Sequence, residues 1–318
     1  MPLSILHSVQ TKHEGHRSWV ELSLCFVDSS LVTKLFQCNW YYRFPCRPGV
    51  PARRTYRLRP DKFRIGSEAA RNRREYVYRP PASCAALTAG WSAVTPIVCD
   101  LADIGKWKHL LANVEAVINT TQASSPDIPA MLVGSVTEAA RSMRPAYSTK
   151  LTYVDTSATW VHGDNRDEIV TDTTPAENSN PYTIWRAYYE RDLVSNTVLN
   201  GIIIRAPWVI GRSGSDLGNK LFPEAKAGEE LVGVGNPGGR CSIVHQDDLA
   251  DAYLRAVERG SIAGGSIFDI TNEFTESVDD ILATLCKISG ATGYRYRKPR
   301  DGKYPFSPRY NIRIITNY

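Results

Sequence analysis

The chain lacks a membrane-spanning run. Its longest apolar stretch, Gly201 to Ile210, is interrupted by Arg205 and Pro207 and falls well short of the ~18 residues a spanning helix needs. It also lacks C-x-x-C spacing and paired histidines. The seven cysteines (Cys25, Cys38, Cys46, Cys84, Cys99, Cys241 and Cys286) are odd in number, which argues against a disulfide framework or a zinc site and for free thiols in a reducing compartment. The first thirty residues contain Glu14, Glu21 and Asp28 and no apolar core. They match neither a secretory signal nor an acid-poor transit peptide, so a cytoplasmic protein without a membrane partner is the expectation.

What is present is ordinary for a globular protein: 318 residues, 42% hydrophobic and 22% charged, room for one large α/β domain or two modest ones. The net charge of +5 is uneven. Residues 1–60 carry nine Lys/Arg against three Asp/Glu, and the remainder is nearly balanced. These basic residues are scattered, and aromatics cluster among them only at Trp40, Tyr41 and Tyr42, so no nucleic-acid partner is expected.

From about residue 75 strands and helices alternate. Tyr76–Tyr78 reads as a strand and Ala85–Leu87 as a helix stub; Val94–Val98, Ala116–Ile118, Leu151–Val154 and Gly201–Arg205 read as further strands. Helical spacing marks Asp103–Leu111, Ile128–Ser142, Tyr182–Ser195 and a helix from Asp247 that ends at Gly260 as its C′ residue. A last helix opens with Ser277 and Asp280 as a capping box and stops at Gly290. This alternation predicts an α/β fold with a doubly wound parallel sheet and ligands at the carboxyl ends of its strands. Residues 1–55 show no sustained period, and the tail from Gly293 has seven Lys/Arg and three prolines without a helical pattern.

Two clusters sit where such a fold binds ligands. Asp155-Thr156-Ser157-Ala158 follows a strand, and Tyr182 opens a helix four positions ahead of Arg186. A tyrosine is a poor acid/base at neutral pH until a nearby cation favours its phenolate. A serine hydroxyl facing it can hold a substrate oxygen as charge develops. That combination suits hydride exchange with a nicotinamide. The plain alternative is a half-buried aromatic at a helix start beside a solvated arginine.

Thr156-Ser157-Ala158-Thr159-Trp160-Val161-His162-Gly163, Pro181-Tyr182 with Arg186, Arg205-x-Pro207-x-x-x-Gly211, and Arg240-x-Ser242-x-Val244-His245-x-Asp247-Asp248-Leu249-Ala250 occur in that order. Together they resemble the extended short-chain dehydrogenase/reductases, the NAD-dependent epimerase/dehydratase family, over roughly residues 63–294. The resemblance implies a Rossmann-like sheet, NAD or NADP as cofactor, a small-molecule substrate and a possible homodimer. It implies Ser157 as the substrate-orienting hydroxyl and Tyr182 as the acid/base, with Arg186 supplying the charge. Asp100 falls at the adenine, Asn119, Thr120 and Thr121 along the cofactor, Pro207 beside the nicotinamide, and Arg240 at a substrate anion. Structural readings stand beside these: Asp100 as a helix cap, Pro207 as a strand terminator, Arg240 as a solvated charge. Sugar-nucleotide epimerisation is the lesser activity implied, since nothing in residues 212–240 looks built for a nucleotide.

Two departures qualify the resemblance. The family's Tyr-x-x-x-Lys is here Tyr182-x-x-x-Arg186, and arginine's planar fork differs in reach and geometry. The family's G-x-x-G-x-x-G turn survives only at Gly66, with Pro60 and Phe63 at the earlier glycine positions. Arg79 falls where a 2′-phosphate would be held, which tips the expectation toward NADP. The chain then divides into an irregular basic leader (1–62) foreign to the family pattern, an NAD(P)-binding domain (63–211) with a degenerate first βα unit, and a small substrate-binding region (212–318) from which 242–271 returns to the core. Because the family's first strand is central in the sheet, either Thr55–Arg59 replaces it or the sheet has a gap. The functional expectation is an oxidoreductase acting on a carbonyl or alcohol. The competing one is a non-catalytic, dinucleotide-responsive protein or an inactive family remnant.

Overall fold

The computed structural model describes residues 3–8, 18–27, 44–46, 94–121, 123–163, 165–176, 179, 183–211, 224–233, 237–296 and 312–314. In chain order its elements are β1 (Leu3–Ser8), β2 (Ser18–Val27), β3 (Phe44–Cys46), β4 (Val94–Val98), β5 (Ala116–Asn119), α1 (Asp127–Met143), β6 (Thr152–Ala158) and β7 (Asn165–Val170). Then come α2 (Ile184–Val194), β8 (Asn200–Ala206), β9 (Trp208–Ile210), β10 (Glu230–Gly233), β11 (Arg240–His245), α3 (Gln246–Glu258) and α4 (Gly260–Ala263). The last are β12 (Ser266–Asp269), β13 (Thr275–Ser277), α5 (Val278–Ser289), β14 (Gly293–Tyr296) and β15 (Ile312–Ile314).

The main sheet runs β12-β8-β6-β5-β2-β1-β4, with β3 paired to β2. β12, β8, β6 and β5 are mutually parallel, as the alternating pattern predicts. Beyond β5 the order departs from a simple doubly wound sheet. β2 runs antiparallel to β5, with Leu24 opposite Asn119 and Val27 opposite Ala116. β1 turns back antiparallel to β2 and lies parallel to β4. The central place left open by the sequence is therefore filled from within residues 1–62, by a strand pointing the opposite way. Thr55–Arg59 lies outside the described residues.

Both faces of the parallel part are covered, so its strands are apolar on both sides. Successive side chains alternate. Ala116, Ile118, Val154, Ile202 and Ile204 face α3, which contributes Leu249, Tyr253 and Ala256. Val117, Tyr153 and Ile203 face the other way, onto Leu132, Val136 and Ala139 of α1 and Tyr189 and Leu193 of α2. Trp107 and Leu111 close that side. Burying one such side chain stabilises the fold by about 1.5–3 kcal/mol. A third, smaller cluster packs Val278, Leu282 and Leu285 of α5 on Leu231 of β10. Among the described residues no helix is long and apolar enough to cross a membrane.

Three local expectations change. Asp103–Leu111 forms two 3-10 segments, Ile104–Lys106 and Lys108–Ala112, in place of one α-helix. Between them Trp107 is fully buried, its Nε1 donating to the Leu101 carbonyl at 3.1 Å, and seating that ring sets the local path. Gly260 does not end α3 as a left-handed cap; it opens α4 against β6, where an added Cβ would stand 2.1 Å from Thr152 Oγ1. The helix expected from Tyr182 begins at Ile184. The last helix is as expected: Ser277 Oγ accepts from Asp280 N at 3.2 Å, and Gly290 is left-handed at φ 75°. Tyr76–Tyr78 and Ala85–Leu87 lie outside the described residues.

Candidate active site at the carboxyl edge of the sheet

The parallel strands end on a polar row. Asn119 of β5 is level with Asp155 of β6, Ser157 of β6 with Arg205 of β8, and Arg205 with Asp269 of β12. In an open α/β sheet the crevice outside these ends is the ligand site.

Ser157 is 4% exposed and its Oγ has no hydrogen-bond partner among the described residues. A buried hydroxyl left unpaired costs about 1–3 kcal/mol, which a ligand oxygen at this position would offset. Thr121 Oγ1, past the end of β5, is likewise buried and without a partner among the described residues. Thr156, between Asp155 and Ser157, is fixed: its Oγ1 donates to the Asn119 carbonyl at 2.7 Å and lies 2.5 Å from the Tyr253 hydroxyl.

α2 supplies the charge. Arg186 Nη2 donates to the Ala123 carbonyl at 2.8 Å and Nη1 lies 3.5 Å from the Thr156 carbonyl. Its Cζ stands 4.5 Å from the Trp185 ring centroid, a cation–π contact. Arg186 is thus a tie between α2 and two strand-end segments. Burial lowers its proton affinity, opposed by Asp155, Glu190 and Tyr189, yet a guanidinium keeps its charge in proteins. The cation therefore persists at the Thr156 and Ala123 carbonyls across the ordinary pH range.

Beneath it, Asp155 is buried. Its Oδ1 accepts from Asn119 Nδ2 at 2.6 Å and from the Tyr189 hydroxyl at 2.9 Å. Desolvation pushes its pKa up to about 7, against the hydrogen bonds from Asn119 and Tyr189 and the charge of Arg186. Asn119 Oδ1 in turn accepts from Thr121 N at 3.1 Å, so one side chain joins the carboxylate to the start of the crevice loop.

A second buried network lies alongside. Arg205 donates from Nε and Nη2 to Glu190 Oε2 at 3.0 and 2.7 Å. His162 Nε2 is 2.8 Å from Asp269 Oδ2 and 3.1 Å from Arg205 Nη1. One ring nitrogen carries at most one proton, so it cannot both donate to Asp269 and accept from Arg205.

The residues expected from sequence are placed as follows. Ser157, Arg186, Asn119, Thr120 and Thr121 come together at the ends of β5 and β6. Pro207 is buried between β8 and β9. Asp100 follows β4 and is exposed; its Oδ1 accepts from Ala102 N at 2.9 Å, a turn-capping role. Arg240 Nε donates to Thr275 Oγ1 at 2.8 Å and its Nη2 to the Thr275 carbonyl, an internal tie between β11 and β13. Tyr182, Gly66 and Arg79 lie outside the described residues. Sequence reasoning named Asp155 only within a cluster and Arg205 only within a motif, and missed Tyr189, Glu190 and Asp269. The available signal was a charge inside a nearly all-apolar strand, as at Arg205, because a buried charge needs a partner.

The strand-end residues fit the nicotinamide half of a dinucleotide: two orphaned buried hydroxyls, Ser157 and Thr121, lie where such a ligand would find donors. The pyrophosphate half has no counterpart on the central strand. β2 ends at Val27, level with Ala116 at the amino end of β5, so its carboxyl end points away from the crevice where the usual phosphate site begins.

A doubly wound α/β sheet with such a crevice defines a broad class of nucleotide-binding folds. Within it, the chain belongs to the NAD dependent epimerase/dehydratase family, whose model matches residues 67–270. No curated protein matches the chain. Among solved structures it is similar to dTDP-glucose 4,6-dehydratase from Bacillus anthracis in complex with NAD, at 16% identity over 71% of this chain and 73% of that one, TM-score 0.57. It is also similar to UDP-glucuronic acid 4-epimerase from Bacillus cereus in complex with NAD, at 18% identity over 67% and 72%, TM-score 0.52. A third is RMD from Pseudomonas aeruginosa complexed with NADPH, at 14% identity over 73% and 83%, TM-score 0.51. At these identities the likeness is one of fold.

Proposed function

We propose that the chain is a cytoplasmic NAD(P)-dependent oxidoreductase of the extended short-chain type, exchanging hydride with a carbonyl or secondary alcohol. The observation that carries this reading is the buried Ser157 Oγ, without a partner among the described residues, at a strand end where Arg186 reaches the neighbouring Thr156 carbonyl. Asn119, Thr120, Thr121 and Pro207 would hold the nicotinamide half, which supplies the hydride acceptor or donor when bound. Ser157 would hydrogen-bond the substrate oxygen and so resist its displacement as negative charge grows there. Tyr182, by its sequence position, would pass the proton to or from that oxygen, with Arg186 favouring its phenolate. Arg79 makes NADP the preferred dinucleotide in this reading, and two copies pair as a homodimer. Arg79→Ala weakening NADPH more than NADH, and sedimentation of the native chain, test these two points.

A second reading is favoured by β2. With an antiparallel strand in the central place, the chain would keep the family's fold without holding a complete dinucleotide, and so act without turnover. Titrating NADPH fluorescence against the full chain separates the two. Saturable binding with turnover over a panel of aldehydes, ketones and nucleotide sugars supports the oxidoreductase. Binding without turnover supports the dinucleotide-responsive protein, and no binding up to millimolar cofactor removes the oxidoreductase and supports the inactive remnant.

A further inference from the structure

Asp155 is the one acidic group on the strand segment that floors the crevice, and the activity above assigns it nothing. It sits two residues before Ser157 and is 1% exposed, and among the described residues these groups face it. From β5 comes the neutral amide of Asn119; from α2 come Arg186, Tyr189 and Glu190; from its own strand comes Tyr153. Burial holds the Tyr189 and Tyr153 hydroxyls neutral, raising both well above the ordinary tyrosine value. Arg186 stays a cation. Glu190 is taken up by Arg205, at 2.7 Å.

The carboxylate also has a path to the crevice. Asn119 donates to it and accepts from Thr121 N with the other end of the same amide. Thr121 belongs to the stretch proposed to run along the cofactor. A charge on Asp155 is thus one amide away from whatever lies there, in a region where water screens it little.

The two forms of a nicotinamide differ in charge: the oxidised ring is a cation and the reduced ring is neutral. We propose that Asp155 selects between them by its protonation: ionised, it favours the oxidised dinucleotide, and protonated, it favours the reduced one. This rests on the NAD(P) reading above. The thermodynamics are reciprocal. Uptake of the oxidised form drives the Asp155 proton into solvent, and a rise in pH tightens the oxidised form relative to the reduced.

The test measures dissociation constants of NADP+ and NADPH for the full chain, by calorimetry, at about pH 6 and about pH 8, either side of the neutral range where Asp155 changes charge. In the wild type the ratio of the oxidised to the reduced constant falls about tenfold across that interval, one pKa unit's worth of coupling. Calorimetry in two buffers of different ionisation enthalpy shows net proton release on binding NADP+. Asp155→Asn makes the ratio independent of pH. Tyr189→Phe, which removes a donor to the carboxylate and leaves the acid in place, moves the midpoint of the dependence to higher pH. It decides the matter if Asp155→Asn does not fold. Binding of both forms with a flat ratio in the wild type, or an unchanged dependence in Asp155→Asn, overturns the selection and leaves the cofactor reading standing. Binding of neither form removes both.

Discussion

Replacing Asp155 by Asn removes the ionisation of a buried carboxylate and keeps an oxygen to accept from Asn119 and Tyr189. The folded protein holds this acid at about 7 against an ordinary value of 3.8. A pKa raised on folding contributes stability that is fully present below the unfolded value and is lost as pH rises through the folded one. The gap of about three units is worth about 4 kcal/mol in total, and roughly 3 kcal/mol of it is lost between about pH 5 and about pH 8. Urea unfolding of wild type and Asp155→Asn across that interval isolates the effect, because every other titrating group is common to both. The wild type weakens relative to the variant by that amount as pH rises, with unchanged m-values. Parallel stability curves for the two proteins would refute the reasoning.

Three further outcomes are expected. Ser157→Ala leaves the melting temperature unchanged or slightly raised, since its Oγ has no partner among the described residues, while turnover falls about a hundredfold or more, as when an oxyanion donor is lost. Glu190→Gln removes the nearer of two carboxylates facing the buried Arg205 and leaves Asp269 Oδ1 at 3.5 Å, so it costs about 1–3 kcal/mol by chemical denaturation; a neutral or stabilising result would contradict the pairing. Gly201→Ala places a Cβ 2.3 Å from the Leu193 carbonyl oxygen; backbone cannot swing aside, so a loss of about 1–3 kcal/mol is expected, and a neutral result would mean that α2 and β8 are looser than described.

The parallel half of the sheet was legible because its period is strong. Gly201–Arg205 could only be a strand covered on both faces, and Ser277, Asp280 and Gly290 marked a helix at both ends. Ser157 and Arg186 were legible as a pair because strand-end residues and the opening turns of helices share one edge in this fold. Asp155 was read only as part of a cluster, since sequence does not show that Tyr189 and Asn119 would converge on it from another helix and strand. Gly260 was read as a cap because it ends a helical period; its place is set instead by Thr152, more than a hundred residues away. In β2, Val20, Leu22, Leu24 and Phe26 alternate with Glu21, Ser23 and Cys25, the period of a strand. Their number and the prolines that follow hid it, and nothing local foretells that such a strand pairs with β5 in reverse.

The account stands on a nicotinamide lying across the ends of β5 and β6. A crystal structure of the full chain grown with NADPH measures this most directly. The expected result is the ring within hydrogen-bonding reach of the Asn119–Thr121 stretch, with the Ser157 hydroxyl facing its reactive side. Cofactor density elsewhere on the molecule, or a crevice filled by side chains at saturating NADPH, would contradict it.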